Sequence, residues 1–426
     1  MADDLSKRLA GLTPEQRELL LRRLRKEGLA VPGEAPPSSS SSSVAAPDAS
    51  GLPLLTLDSG PEPEPSDRPI DFSLFFFSDG GAKSPAESYD LLLESARFAD
   101  RHGFAAVWTP ERHFQDFGGL YPNPSILGAA LAAVTERLGI RAGSVVLPLH
   151  DPRRIAAEWA VVDRLSSGRT GLSFASGWHP TDFALRPEAY GDRRERMFQG
   201  IEKVRRLWRG EGRLEPRPVQ PELPVWVTCS TNAATWTRAG EIGAHVLTII
   251  QPLPALAEKI ARYRSARAEH GFDPESGRVT VMVHAFVGDD EEAVRQKVRA
   301  PMTSYLKTYF DQYGFLAPGA GGAGIQGVRE SDVDTLLALA FDSYFSSLSL
   351  LGRPGKGTRL IDRLRAIGVD EAACLIDFGV DAPSILEALP ALARLRSQSS
   401  RPAGAATPPW PSGGGSSGPS PGSPGS

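Results

Sequence analysis

Between residues 70 and 398, short apolar runs alternate eight times with longer amphipathic stretches, and nothing else in the sequence constrains the fold as strongly. A short apolar strand followed by a helical pattern long enough to carry the chain back to the next strand is the unit of a parallel sheet. The strand-like runs are 71–77, 105–108, 141–147, 170–175, 224–229, 244–250, 279–287 and 372–378. Helical patterns follow near 85–102, 123–137, 152–165, 192–209, 232–241, 254–270, 290–300 and 383–396. Eight such units in about 330 residues match an α/β fold of the (β/α)8 TIM-barrel type. A doubly wound open sheet has the same periodicity and is the alternative. The stretch 290–368 is too long for one helix and carries Pro301, Pro318 and Pro354. It reads as an insertion between strands seven and eight, with Tyr305, Tyr309, Phe310, Phe341, Tyr344 and Phe345 to pack it over the barrel mouth.

The barrel domain, 70–398, is flanked by segments of a different kind. Residues 31–69 hold 9 Pro and 9 Ser, too little apolar surface to offset the entropy of ordering, and read as a disordered linker. Residues 399–426 read as a disordered tail on the same ground. Residues 1–30 form an amphipathic helical segment with a helix start at Thr13-Pro14-Glu15-Gln16. Lys and Arg total 47 against 51 Asp and Glu, so no basic field points to nucleic acid. Cys229 and Cys374 are far apart with no Cys/His spacing near either, so neither a disulfide framework nor a metal site is expected. No apolar run approaches the ~18 residues of a membrane span, and the first residues lack a signal-peptide core, so a cytoplasmic protein is expected.

Three familiar patterns are set aside. Gly322-Ala323-Gly324-Ile325-Gln326-Gly327 has dinucleotide-loop spacing but follows no strand. Gly352-Arg353-Pro354-Gly355-Lys356-Gly357-Thr358 resembles a phosphate loop in composition only, and reads as a turn before a helix near Arg359. Ser173 lacks the second glycine of a nucleophile elbow.

Chemistry on this barrel belongs to the C-terminal ends of the strands. Four ends are unusual: Glu-Arg-His-Phe (111–114) with Gly-Gly-Leu-Tyr-Pro-Asn-Pro (118–124), Arg-Ala-Gly-Ser-Val-Val-Leu-Pro-Leu-His (141–150), Ser-Phe-Ala-Ser-Gly-Trp (173–178), and Cys-Ser-Thr-Asn (229–232). With Ala-Gly-Glu-Ile-Gly-Ala (239–244) and Cys-Leu-Ile-Asp-Phe-Gly (374–379), these motifs resemble the bacterial luciferase-like flavin monooxygenases. The resemblance is closer to the subfamily that sits within polyketide and non-ribosomal peptide assembly lines. It implies a monooxygenase that takes reduced FMN from a separate flavin reductase, reacts it with dioxygen and transfers one oxygen through a flavin C4a-peroxide. The substrate implied is a small-molecule or carrier-bound intermediate of natural-product synthesis. A flavin- or deazaflavin-linked dehydrogenase on the same fold is the alternative.

On this resemblance Ser230, Thr231 and Asn232, opening the fifth helix, hold the phosphate, as a helix N-terminus with hydroxyls can. Gly143, Ser144 and Val145 with Ala175, Ser176, Gly177 and Trp178 bed the ring, and a cis peptide is implied at Gly143-Ser144. Luciferases carry two histidines after the glutamate of the strand-two loop; here Arg112 takes the first place. Arg112 becomes an anchor for an anion or a carbonyl and His113 the acid/base group, with Glu111 the third residue of the catalytic set. Where relatives often place an arginine after strand four, this chain has Ser176, and Leu247-Thr248-Ile249-Ile250 lacks the histidine that the assembly-line subfamily carries after the threonine. The leading helices resemble linker helices of peptide synthetases. That leaves docking to a carrier protein or synthetase module, capping of the barrel, or a homodimer contact open for them.

Overall fold

The computed structural model describes Glu64 and residues 66–78, 85–115, 117–315 and 330–399. The segment 1–30, the linker apart from its last residues, the tail from 400 onwards and the glycine pattern at 322–327 lie outside the described residues.

The chain runs β1 (Asp71–Phe75), α1 (Pro85–Arg101), β2 (Ala106–Thr109), α2 (Pro124–Val134), β3 (Gly139–Val146), α3 (Pro152–Leu165), β4 (Thr170–Ala175) and α4 (Arg193–Arg209). It continues through β5 (Val225–Thr228), α5 (Ala233–Glu241), β6 (His245–Ile249), α6 (Leu253–Glu269) and β7 (Val279–Val287). The last third is α7 (Glu291–Phe315), α8 (Glu330–Ser347), β8 (Leu350–Gly352), α9 (Pro354–Ala366), β9 (Glu371–Leu375) and α10 (Ala382–Ser399). Strands β1 to β7 pair in order and in parallel, and β9 closes the ring between β7 and β1, so the eight-stranded barrel is present and the open sheet is excluded.

The insertion is more ordered than the sequence suggests. A helix was expected to stop near residue 300, because proline lacks an N–H and clashes with the preceding turn. Instead α7 runs through Pro301, held by Val298, Met302, Tyr305 and Tyr309, a buried stripe at helical spacing that outweighs one lost hydrogen bond. A ninth strand, β8, pairs with Ala285–Val287, the upper third of β7, while the lower part of β7 belongs to the barrel. At three residues β8 is too short to read from sequence. The helix expected near Arg359 begins at Pro354, which fills its first position without needing an N–H.

Alternation fixes which side chains fill the barrel. Its floor is polar: Arg141 lies between the rings of Trp108 and Trp226, at 4.9 and 4.7 Å, and pairs with Glu371 at 2.6 Å. Glu371 also accepts from Ser73 Oγ at 2.6 Å, Trp108 Nε1 at 2.9 Å and Arg278 Nη2 at 3.3 Å. Burial pushes this carboxyl up, but Arg141 and Arg278 outweigh it and hold it at about 2. A buried charge so surrounded costs far less than an isolated one.

Candidate active site

Four successive strands bring the sequence-selected residues to one rim. At the end of β3 the Gly143–Ser144 peptide is cis, and the register with β4 slips, so Gly143 faces Ser173 while Val145 faces Phe174. A Cβ at Gly143 would lie 2.8 Å from the Phe75 ring and 3.1 Å from Trp108, so only glycine fits. Ser144 Oγ hydrogen-bonds Thr228 Oγ1, which also meets Ser173 Oγ at 2.7 Å; the hydroxyls tie β3, β4 and β5 together. At the end of β4, Ala175 and Ser176 are half-buried and Gly177 turns with φ +74°. A Cβ there would come within 2.7 Å of Phe183 and 2.8 Å of Val146. Trp178 follows, its ring 4.9 Å from the Arg112 guanidinium.

After β5, Asn232 is the N-cap of α5 and its side chain accepts from the Thr235 amide at 3.2 Å. The Ser230 carbonyl accepts from the Trp236 indole at 2.8 Å. The hydroxyls of Ser230 and Thr231 have no hydrogen-bond partner among the described residues, so they remain available at a helix N-terminus, where an anion is favoured. Small residues at two strand ends, leading to that N-terminus, fit a flat ring carrying a phosphate.

The loop after β2 forms the opposite wall. Glu111 is buried, and its carboxylate meets His113 Nε2 at 2.8 Å, His150 Nε2 at 2.5 Å and the Val146 amide at 2.8 Å. Burial pushes Glu111 up, and these bonds outweigh it and hold it below its ordinary value, so it is anionic at neutral pH. Its two histidines supply ligand atoms that lie with it within 4.8 Å of one another, which would also suit a cation; the separations present are hydrogen-bond lengths. Arg112 is buried and engaged on every side: Nη1 pairs with Asp182 at 3.0 Å, Nε donates to the Phe117 carbonyl at 3.2 Å and Nη2 to Gln115 at 2.5 Å. Burial raises the Asp182 carboxyl against the pull of Arg112. Asp182 also accepts from the His113 amide at 3.2 Å, so one carboxylate fixes both residues of the pair.

Sequence reasoning missed His150, Asp182 and Tyr121 as site residues. His150 closes the strand-three motif, and its position at the strand end was the available signal. Tyr121 donates to Asp377 at 2.8 Å, joining Gly-Gly-Leu-Tyr-Pro to Leu-Ile-Asp-Phe across the mouth. Asp182 lies in a short 3-10 helix, Pro180–Leu185, which carries no periodic signal.

The fold agrees with what the chain is similar to. Residues 70–371 match the luciferase-like monooxygenase family. The oxygenase component of a flavin-dependent trigonelline monooxygenase from Acinetobacter baylyi is 25% identical over 337 residues, 72% of this chain and 89% of that protein. A 4-hydroxyprotoasukamycin monooxygenase from Streptomyces nodosus subsp. asukaensis is 28% identical over 47% of this chain and 59% of its own length. Among solved structures, the oxygenating constituent of 3,6-diketocamphane monooxygenase from Pseudomonas putida, in complex with FMN, shares the fold with a TM-score of 0.63 and 21% identity, covering 76% of this chain and 97% of its own. No helix of the described residues is long and apolar enough to cross a membrane. The chain belongs to the luciferase-like monooxygenase family, and its barrel is that of a flavin-dependent monooxygenase.

Proposed function

We propose that this protein uses reduced FMN, supplied by a separate flavin reductase, and dioxygen to hydroxylate an intermediate of natural-product biosynthesis, or to insert oxygen into it, by the C4a-peroxide route. The observation that carries the reading is the bed of small residues at the ends of β3 and β4, which runs from the N-terminus of α5 to the Glu111–His113 pair. FMN would supply the oxygen chemistry; the protein supplies position and protons. Ser230 and Thr231 would hold the phosphate, with Asn232 shaping the turn beneath them. Gly143 to Val145 and Ala175 to Trp178 would bed the ring. His113, its Nε2 held by Glu111, is suited to moving a proton at Nδ1, and Arg112 braces the wall through Asp182 and Trp178 while placing a positive charge beside the site. A two-component partnership is supported by the trigonelline relative, which is an oxygenase component, and the natural-product role by the protoasukamycin relative.

Mixing the protein with photoreduced FMN and oxygen should give a transient absorbance distinct from reduced and oxidised flavin. Oxidation at the free-flavin rate with no transient refutes the reading. Anaerobic flavin reduction by a substrate would select the dehydrogenase instead.

A further inference from the structure

One buried group at the mouth is left unused by these roles. His284 is the sixth residue of β7, and Thr280 on the same strand faces the barrel interior, where its hydroxyl accepts from Trp226 Nε1 at 3.2 Å. Alternation turns Met282 and then His284 to the same interior face, with His284 at the level of the mouth. His284 is 4% exposed, and its Nδ1 lies 2.7 Å from the Tyr344 hydroxyl of α8. Its Nε2 is buried and has no hydrogen-bond partner among the described residues. The rings of Tyr305, Tyr344 and Phe378 stand nearly perpendicular to the imidazole, with centroids 4.5, 5.3 and 5.3 Å away.

Hydrogen-bond accounting assigns the proton. A buried phenol has to place its hydrogen on an acceptor, and among the described residues Tyr344 has only Nδ1. With Nδ1 accepting, the neutral ring carries its hydrogen on Nε2. Burial supports this state, pushing the Tyr344 phenol up and the imidazole down to about 3. The side chain is thus a fixed donor aimed into the barrel without an acceptor. Around the ring β7 lies four strands from β3, so the donor faces the bed of small residues across the mouth. None of the rings packed against His284 is charged, which favours a neutral acceptor over a carboxylate.

We propose that His284, its tautomer fixed by Tyr344, donates its Nε2 hydrogen to a carbonyl oxygen of the substrate and so sets which part of the substrate faces the flavin bed. The orientation rests on the proposed flavin site; the donor itself does not. Histidine-selective 15N NMR on the full chain without flavin tests the donor, with the signal assigned by its loss in His284→Gln. The probes are camphor, cyclohexanone and an acetyl thioester of N-acetylcysteamine, with camphane as the hydrocarbon control. The free protein should show the Nε2–H tautomer, and Tyr344→Phe should let the Nδ1–H form appear. At least one carbonyl probe should move the Nε2–H proton downfield while camphane does not. Binding of that probe should weaken roughly tenfold in His284→Phe and recover in His284→Gln, whose amide can still donate. A wild-type Nδ1–H tautomer, no response to any carbonyl probe, or an equal response to camphane overturns the proposal, the last two leaving the Tyr305 ring face as the partner of Nε2. Because oxygen transfer is not read, failure of the monooxygenase reading registers separately.

Discussion

Glu111 meets two imidazoles and a backbone amide at the mouth, and these neighbours define its use. A carboxylate between two imidazoles and a backbone amide can fix both rings and stabilise whichever becomes protonated. Glu111→Gln keeps the shape and loses the charge. Product formation from supplied reduced FMN should fall at least about a hundredfold, within the usual range for a lost acid/base group, with the far-ultraviolet circular dichroism unchanged. His113→Gln should fall comparably in kcat with little change in FMN affinity. At the barrel floor Glu371 makes a stability prediction. Its value in the folded protein, about 2, is below the ordinary 4.5, so its contribution is fully present above pH 4.5 and is lost as pH falls towards 2. The displacement corresponds to about 3 kcal/mol. Denaturant unfolding should therefore show stability falling over that window. Glu371→Gln should be less stable at pH 7 and flatter below pH 4.5; an unchanged acid limb would remove the assigned role of the pair.

At the scale of elements, the proposed flavin bed depends on backbone shapes that side chains would spoil. Gly177→Ala adds a Cβ at positive φ and drives it against Phe183 and Val146, so the loop between β4 and α4 has to shift. FMN affinity, read by quenching of flavin fluorescence, should weaken by about tenfold or more, the cost of one misplaced contact surface. The strands themselves were largely legible. The runs 170–175 and 279–287 coincide with β4 and β7, and the other runs overlap the observed strands within a few residues, because apolar run length and flanking turns carry that information. The insertion was legible as an insertion, with the start of α7 but not its continuation past Pro301, nor α8 or β8, since a proline reads as a break unless the tertiary stripe that overrides it is known. The rim was legible as motifs; the bonds Glu111–His150, Arg112–Asp182 and Tyr121–Asp377 join residues far apart in sequence, and no local pattern announces them.

At the scale of the whole molecule, the described chain is one barrel with an enlarged crossing between its last two strands. In the proposed function the reduced flavin comes from a separate reductase. The purified protein should therefore consume no NADH or NADPH with oxidised FMN, and should turn over only when a reductase or chemically reduced flavin is added, as following absorbance at the nicotinamide band would show. The way β7 is shared has a mechanical consequence. Its lower part belongs to the barrel wall and its upper part to the ladder with β8, so the cover over the mouth is rooted in the wall by hydrogen bonds. Lifting β8 from the wall would break that ladder. The roof beside His284 is thus laddered into the barrel wall, whereas the β2 loop that carries Glu111 bears the exposed Phe114 at the rim.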